Sequence, residues 1–263
     1  MEAAVATLPL TITLIRPAVP RSRAVLREVS LNQTRCSTCS VHDKCLSEGL
    51  DPIIGKRVDE LVTTRIRLHK GDTLNQAGAS FTALYTVHSG SLKTVLLAED
   101  GRDQITGYHI AGELVGLDGI GNHVHACQTV ALEDSEVCSM PFDRLERLAR
   151  EYPAFQRRLH RSMSREIARQ QALMLLLGTM RADQRVAAFL LDLSQRYQAR
   201  GYSPSEFVLR MTREEIGSYL GLKLETISRL LSRLQAEGMI QIQGRVVKLL
   251  ERGALKELIG QSA

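Results

Sequence analysis

Residues 211–244, MTREEIGSYLGLKLETISRLLSRLQAEGMIQIQG, leave the chain few choices of fold. Thr212 followed three positions later by Glu215 is a capping-box pattern, in which each side chain satisfies the other's backbone N–H at a helix start. Ile216 and Leu220 then recur at helical spacing. Gly221 stands where a second helix must leave at a sharp angle, and glycine accepts the left-handed backbone such a turn requires. In the next helix Leu224, Ile227, Leu230, Leu231 and Leu234 form an inward stripe, while Glu225, Thr226, Ser228 and Arg229 occupy the other face of its first turns. The pattern predicts a helix-turn-helix whose recognition helix offers a carboxylate, hydroxyls and a guanidinium to a major groove. Residues 239–243 and 246–250 flank Gly244 as a hairpin wing.

The charge distribution agrees. The chain has 34 basic and 29 acidic residues. From Arg181 to Ala263 there are 13 basic and 9 acidic residues, so this stretch carries +4 of the net +5. The cationic excess therefore sits with the predicted DNA-binding segment. The 263 residues suffice for two modest domains. No apolar run reaches the ~18 residues of a membrane span, so no membrane partner is expected. The apolar N-terminus carries Glu2 and Arg16 and has no leading basic cluster, unlike a secretory signal.

Five cysteines are present: Cys36, Cys39, Cys45, Cys127 and Cys138. An odd number on a long chain, with three packed into ten residues, points to a reducing cytoplasmic compartment and a metal centre. The C-x2-C-x5-C spacing of the first three suits an iron–sulfur cluster with a distant fourth ligand. Zinc normally takes two C-x2-C knuckles, and only one such pair occurs. Unliganded thiols, or His42 as a ligand, are the remaining readings of the loop.

Five segments are expected: a poorly ordered leader (1–35), a cysteine-rich segment (36–52), a sensory roll (53–150), a pairing helix (151–180) and a winged helix-turn-helix domain (181–263). In the roll, short apolar runs such as Ala83 to Val87 and Lys93 to Leu97 alternate with glycine turns. A short helix follows over 142–151, with Asp143 as its expected cap. A long helix covers 153–178, and 181–201 is a further amphipathic helix. In the long helix Leu159 or His160, Met163, Ile167, Gln170, Met174 and Leu177 recur in steps of four and three. That is a coiled-coil seam and predicts a homodimer.

The order of roll, pairing helix and winged helix-turn-helix resembles the CRP/FNR family of bacterial transcription regulators, and its oxygen-responsive FNR branch most of all. The resemblance runs from Cys36 to the C-terminus through CSTCSVHDKC, DQITGYHIAGELVGLD, VCSMPF, RVAAFLLDLS and MTREEIGSYLGLKLETISRL. It implies an α+β fold with an antiparallel β-roll of the cyclic-nucleotide-binding jelly-roll type, a long dimerisation helix and a C-terminal winged helix-turn-helix. It also implies a 4Fe–4S cofactor on Cys36, Cys39, Cys45 and Cys138, the last because the family's roll cysteine lies in V-C-x-x-P-F, here residues 137–142. Cys127 is then surplus, a small buried apolar residue. By the same resemblance Glu225, Ser228 and Arg229 read double-stranded DNA in a TTGAT-type inverted repeat, and the loop with Glu99, Asp100, Gly101 and Asp103 touches RNA polymerase. Two positions depart from the family: Lys44 replaces an apolar residue before the third cysteine, and Gln170 replaces an acidic residue in the seam.

Three other functions have less support in the sequence. A cyclic-nucleotide regulator would use Gly112-Glu113-Leu114, but 115–131 holds no arginine or lysine for the phosphate. A haem or zinc sensor would draw on His88, His123 or His125. An enzyme is not expected, because no nucleophile–base pair, phosphate loop or paired carboxylates stand out.

Overall fold

A computed structural model describes residues 27–30, 36, 39–62, 64–98 and 101–260. Within the stretch expected as an unstructured leader lies a strand, β1 (Arg27–Ser30); residues 1–26 and 31–35 are outside the described residues. Asp51 accepts hydrogen bonds from the backbone of Ile53 and Ile54, and Pro52 takes the first helical position, so α1 (Pro52–Leu61) begins there. Sequence reasoning places no helix here, although Asp51-Pro52 is a start signal.

The roll consists of β1, β2 (Thr64–Leu68), β3 (Thr73–Asn75), β4 (Ala83–Ser89), β5 (Ser91–Leu97), β6 (Asp103–Ile110), β7 (Leu114–Val115), β8 (Gln128–Ala131) and β9 (Ser135–Pro141). They form two antiparallel sheets, ordered β1-β2-β9-β4-β7 and β3-β8-β5-β6. The period of two is plain in β2, where Ile66 and Leu68 are buried and Arg67 is exposed. Ile66, Leu68, Val87, Leu92, Val115 and Val137 fill the core between the sheets.

Beyond the roll lie α2 (Phe142–Glu151) and α3 (Pro153–Thr179). Asp143 does not cap α2: the residue before the helix is Pro141, and the Asp143 carboxylate pairs with Arg147 at 2.9 Å on the surface. Pro153 separates the two helices, since proline restricts the residue before it and favours a helix start. The first turns of α3 bury Phe155 and Leu159 against Leu145 and Leu148 of α2 and Ile54 and Val58 of α1. Farther along, Ile167 is 58% and Met174 is 66% exposed. Of the two candidates at the head of the seam, Leu159 faces this core and His160 faces solvent.

The C-terminal part comprises α4 (Ala182–Gln198), β10 (Glu206–Val208), α5 (Arg213–Leu220), α6 (Leu224–Ala236), β11 (Ile240–Gln243), β12 (Val246–Leu249) and α7 (Arg252–Leu258). The wing has three strands in the order β10-β12-β11, not the expected two. Phe207 on β10 is buried and stacks on Tyr197. Tyr108 of β6 lies 5.0 Å from Tyr219 of α5 and 6.1 Å from Phe189 of α4, ring centre to ring centre. This aromatic cluster fuses the roll to the helix-turn-helix in one core. Among the described residues, no helix is long and apolar enough to cross a membrane.

Candidate thiol centre and nucleic-acid interface

The cysteine segment is a run of tight turns. Cys39 N–H donates to the Cys36 carbonyl at 3.1 Å, and His42 N–H to the Cys39 carbonyl at 3.0 Å. The His42 ring bonds the Cys36 carbonyl at 3.0 Å, which occupies it within the loop. Cys45 Sγ lies 2.8 Å from Ser47 Oγ. Cys138 comes from β9, where it pairs with Arg65 of β2 and Thr86 of β4 and is 8% exposed.

Cys36, Cys39, Cys45 and Cys138 are within one another's electrostatic reach. Burial raises the Cys36 thiol above its usual range, and Cys138, Cys45 and Cys39 raise it further. Burial pushes Cys138 up to about 11, with Arg65 opposing and Cys39 and Cys45 adding to the rise. Cys45 is raised by burial and partly relieved by Ser47. Left alone, such thiols stay protonated; a bound cationic centre would draw them down as thiolates and release protons. Cys127 is also pushed up to about 11, by burial and then by Asp118, and no other thiol acts on it. Among the described residues, no three His, Cys, Asp or Glu are arranged to hold a single metal ion. The four thiols offer an all-sulfur donor set, the kind that suits an iron–sulfur cluster.

The surroundings of the thiols come from residues distant in sequence. His88 Nδ1 lies 3.4 Å from Cys39 Sγ. Arg158, buried on α3, donates from Nη2 to the Cys45 carbonyl at 2.9 Å and also bonds Glu48. His125 is buried against Asp118, while His123 is exposed. Glu113 accepts from Arg196 at 2.7 Å, Arg200 at 2.7 Å and Arg169 at 3.3 Å. Although burial raises its pKa, the arginines Arg196, Arg169 and Arg200 outweigh that and hold its carboxyl down at about 2. Sequence inspection catches Glu113 as part of Gly112-Glu113-Leu114 but not these partners, which lie 56 to 87 residues away.

At the other end, Thr212 Oγ1 accepts from Glu215 N–H at 3.1 Å and Glu215 Oε2 accepts from Thr212 N–H at 2.6 Å, the reciprocal cap read from the sequence. Gly221 turns between α5 and α6 with φ +63°. Ile227, Leu231 and Leu234 are buried, and Leu230 is half-buried against the same core. Leu224 corrects the expected stripe: as the first residue of α6 it has no preceding turn to pack beneath and is 44% exposed. Glu225 and Arg229 are exposed, and Thr226 and Ser228 are half-buried, all within the first two turns. An exposed carboxylate and an exposed guanidinium four residues apart on one helix are groups able to hydrogen-bond base edges. In the β5–β6 turn Gly101 and Asp103 are exposed; Glu99 and Asp100 lie outside the described residues.

The folded chain is thus a roll joined by a long helix to a winged helix-turn-helix, the architecture of a ligand- or signal-responsive DNA-binding regulator. Two family descriptions match it: the cyclic nucleotide-binding domain over residues 65–152 and the Crp-like helix-turn-helix domain over residues 184–258. The transcriptional regulatory protein btr of Bordetella pertussis is 48% identical over 235 residues, covering 89% of this chain and 97% of that protein. The fumarate and nitrate reduction regulatory protein of Escherichia coli is 40% identical over 245 residues, 93% of this chain and 98% of that protein. Among solved structures, FixK2 from Bradyrhizobium japonicum superposes with a TM-score of 0.69 at 31% identity, covering 76% of this chain and 98% of that one. The chain belongs to the CRP/FNR family of DNA-binding transcription regulators.

Proposed function

We propose that this protein is an oxygen-responsive transcription activator of anaerobic metabolism, with a 4Fe–4S cluster held by Cys36, Cys39, Cys45 and Cys138. The observation that carries this reading is that Cys36, Cys39 and Cys45 of a turn-rich loop and Cys138 of strand β9 lie within one another's electrostatic reach, while Cys127 faces Asp118 and Thr106 instead. When bound, the cluster supplies an oxygen-labile tie between the four thiolates. The rest is done by the chain. Arg158 links the Cys45 carbonyl to α3. The α3 seam of Met163, Ile167, Gln170, Met174 and Leu177 pairs two copies, and the exposure of Ile167 and Met174 leaves apolar surface for that purpose. The homodimer brings two α6 helices to the half-sites of a TTGAT-type inverted repeat, about 34 Å apart. Arg229 takes the guanine, Glu225 accepts from a cytosine, Ser228 meets a thymine and Thr226 lies beside them. Glu99, Asp100, Gly101 and Asp103 form the contact with RNA polymerase. Similarity to proteins called transcriptional activator protein Anr and fumarate and nitrate reduction regulatory protein supports the same role.

The visible absorption of anaerobically purified protein tests this reading. A brown, iron- and sulfide-containing protein that bleaches in air and loses affinity for the inverted repeat is expected. A colourless protein with unchanged DNA affinity in air would overturn it.

A further inference from the structure

The Lys44–Cys45 stretch is gripped from two sides. On one side, Arg158 of α3 donates from Nε and Nη2 to the Cys45 carbonyl, at 3.3 and 2.9 Å. On the other, the Lys44 carbonyl rests on Gly112. A Cβ at Gly112 would stand 2.7 Å from that oxygen, and the φ of +87° also favours glycine there. The Gly112–Glu113 turn is itself pinned to β4, with Gly112 N–H donating to the Val87 carbonyl and Val87 N–H to the Glu113 carbonyl. Lys44, Gly112, Glu113, Arg158 and Arg169 surround one cavity of about 60 Å3.

The next residue in that turn reaches the other half of the molecule. Glu113 Oε2 accepts from Arg196 Nη2 at 2.7 Å and from Ile110 N–H at 3.1 Å. Its Oε1 accepts from Arg200 Nη2 at 2.7 Å, Arg196 Nε at 3.2 Å and Arg169 Nη2 at 3.3 Å. Arg196 lies on α4 and Arg200 just beyond its end, while Arg169 lies on α3. The side chains of Glu113 and Arg196 are each 9% exposed. One buried carboxylate therefore holds guanidiniums from both the pairing helix and the first helix of the C-terminal part, and deleting it leaves buried charge unpaired.

We propose that the Gly112–Glu113 turn is the positioning element that transmits the state of the cysteine loop to α4 and hence to the DNA-binding domain. The contact of Lys44 with Gly112 is its input and the Glu113–arginine clamp is its output. The role in signalling rests on the thiol-centre reading above; the mechanical coupling of loop to α4 does not. Coupling between two sites is reciprocal, so loosening the clamp must also loosen the loop.

The test uses full-length protein under anaerobic conditions, with Glu113→Gln, the conservative Glu113→Asp, and Gly112→Ala. Iron content, affinity for a duplex carrying the TTGAT inverted repeat, and amide hydrogen exchange at residues 42–46 and 182–200 are measured. Glu113→Gln is expected to keep the wild-type iron content. The ratio of DNA affinities between loaded and cluster-free protein should shrink by about tenfold. Exchange should rise in both segments, and Glu113→Asp should restore part of the ratio. Gly112→Ala removes no member of the arginine clamp but disturbs the contact with Lys44, and exchange should still change at 182–200. An unchanged affinity ratio, or faster exchange at 182–200 with 42–46 unaffected, would overturn the proposal and make Glu113 a structural pin. Should Glu113→Gln not fold, an absence of change at 182–200 in Gly112→Ala would do the same. If wild-type protein binds no iron, the thiol-centre reading fails, yet the exchange measurements still decide the coupling.

Discussion

The recognition helix and the cysteine loop are organised on opposite principles. α5 and α6 are built almost wholly from short-range rules: a reciprocal cap, one left-handed glycine and five buried aliphatics. They present Glu225 and Arg229 on the exposed face of a helix whose other face is packed into the core. The cysteine loop has no core of comparable size. Its thiols are half-buried, Cys36 and Cys45 are raised by desolvation, and its shape is borrowed from Arg158, His88 and Gly112. A reader of DNA gains from preorganisation. A sensor gains from a segment whose conformation depends on what it holds.

The sharpest way to break this contrast is to remove the thiols. Replacing Cys36, Cys39, Cys45 or Cys138 by Ser, one at a time, should abolish anaerobic iron binding outright. Cys127→Ser should spare it, although Cys127 and Cys138 are both pushed up to about 11. Their titration does not distinguish them; their neighbours do, since Cys127 faces Asp118 and Thr106 while Cys138 faces other thiols. Iron analysis of the five variants decides the matter. Iron lost with Cys127 and kept without Cys138 would reverse the assignment.

On the recognition-helix side, Arg229→Ala should cost roughly 1–3 kcal/mol of discrimination at the guanine it reads. A phosphate contact would instead weaken all sequences alike and lower the salt slope by about one. Binding to wild-type and guanine-substituted duplexes across a salt series separates these outcomes. Gly221→Ala should destabilise the C-terminal part by about 1–2 kcal/mol, read as a shift in the urea midpoint. Its φ is +63°, and an added Cβ would meet only ordinary contacts at 3.5 Å, so the cost is one of backbone conformation. A midpoint equal to wild type would show that the turn relaxes.

These two regions also mark how far the sequence could be read. The helix-turn-helix was legible because its determinants lie within one or two turns of one another: Thr212 with Glu215, Gly221 between two stripes. The roll was legible from glycine spacing and alternation, and the C-x2-C-x5-C spacing singles out Cys36, Cys39 and Cys45 as candidates. Arg158, Glu113 and the arginines around it escaped because each is an unremarkable charge in its local context, and its meaning comes from a partner 56 to 113 residues distant. β10 escaped because three residues with one buried phenylalanine carry almost no periodicity. The Asp143 cap misled because a nearby arginine competes for its carboxylate.

The smallest expected effect lies where the two principles meet. Glu215 closes the α5 cap with Oε2 and, with Oε1, takes the Lys93 ammonium of β5 at 2.6 Å, so a local signal carries a long-range tie. Burial works against the Glu215 carboxylate, but the Lys93 bond and the Thr212 N–H outweigh it and lower its pKa. A folded-state pKa below the unfolded one means that its stabilisation is present above the ordinary carboxylate range. It is then lost as pH falls through that range toward the folded value. Glu215→Gln keeps an oxygen for Thr212 N–H and removes only the charge. It should therefore cost little at about pH 3 and more near pH 7. Because both side chains are 20% exposed, the pair is worth up to about 1 kcal/mol. A double-mutant cycle with Lys93→Met, followed by urea unfolding at both pH values, isolates that coupling. Zero coupling together with parallel pH profiles would mean that the cap alone fixes α5 and that the roll neither supports nor restrains it through this pair.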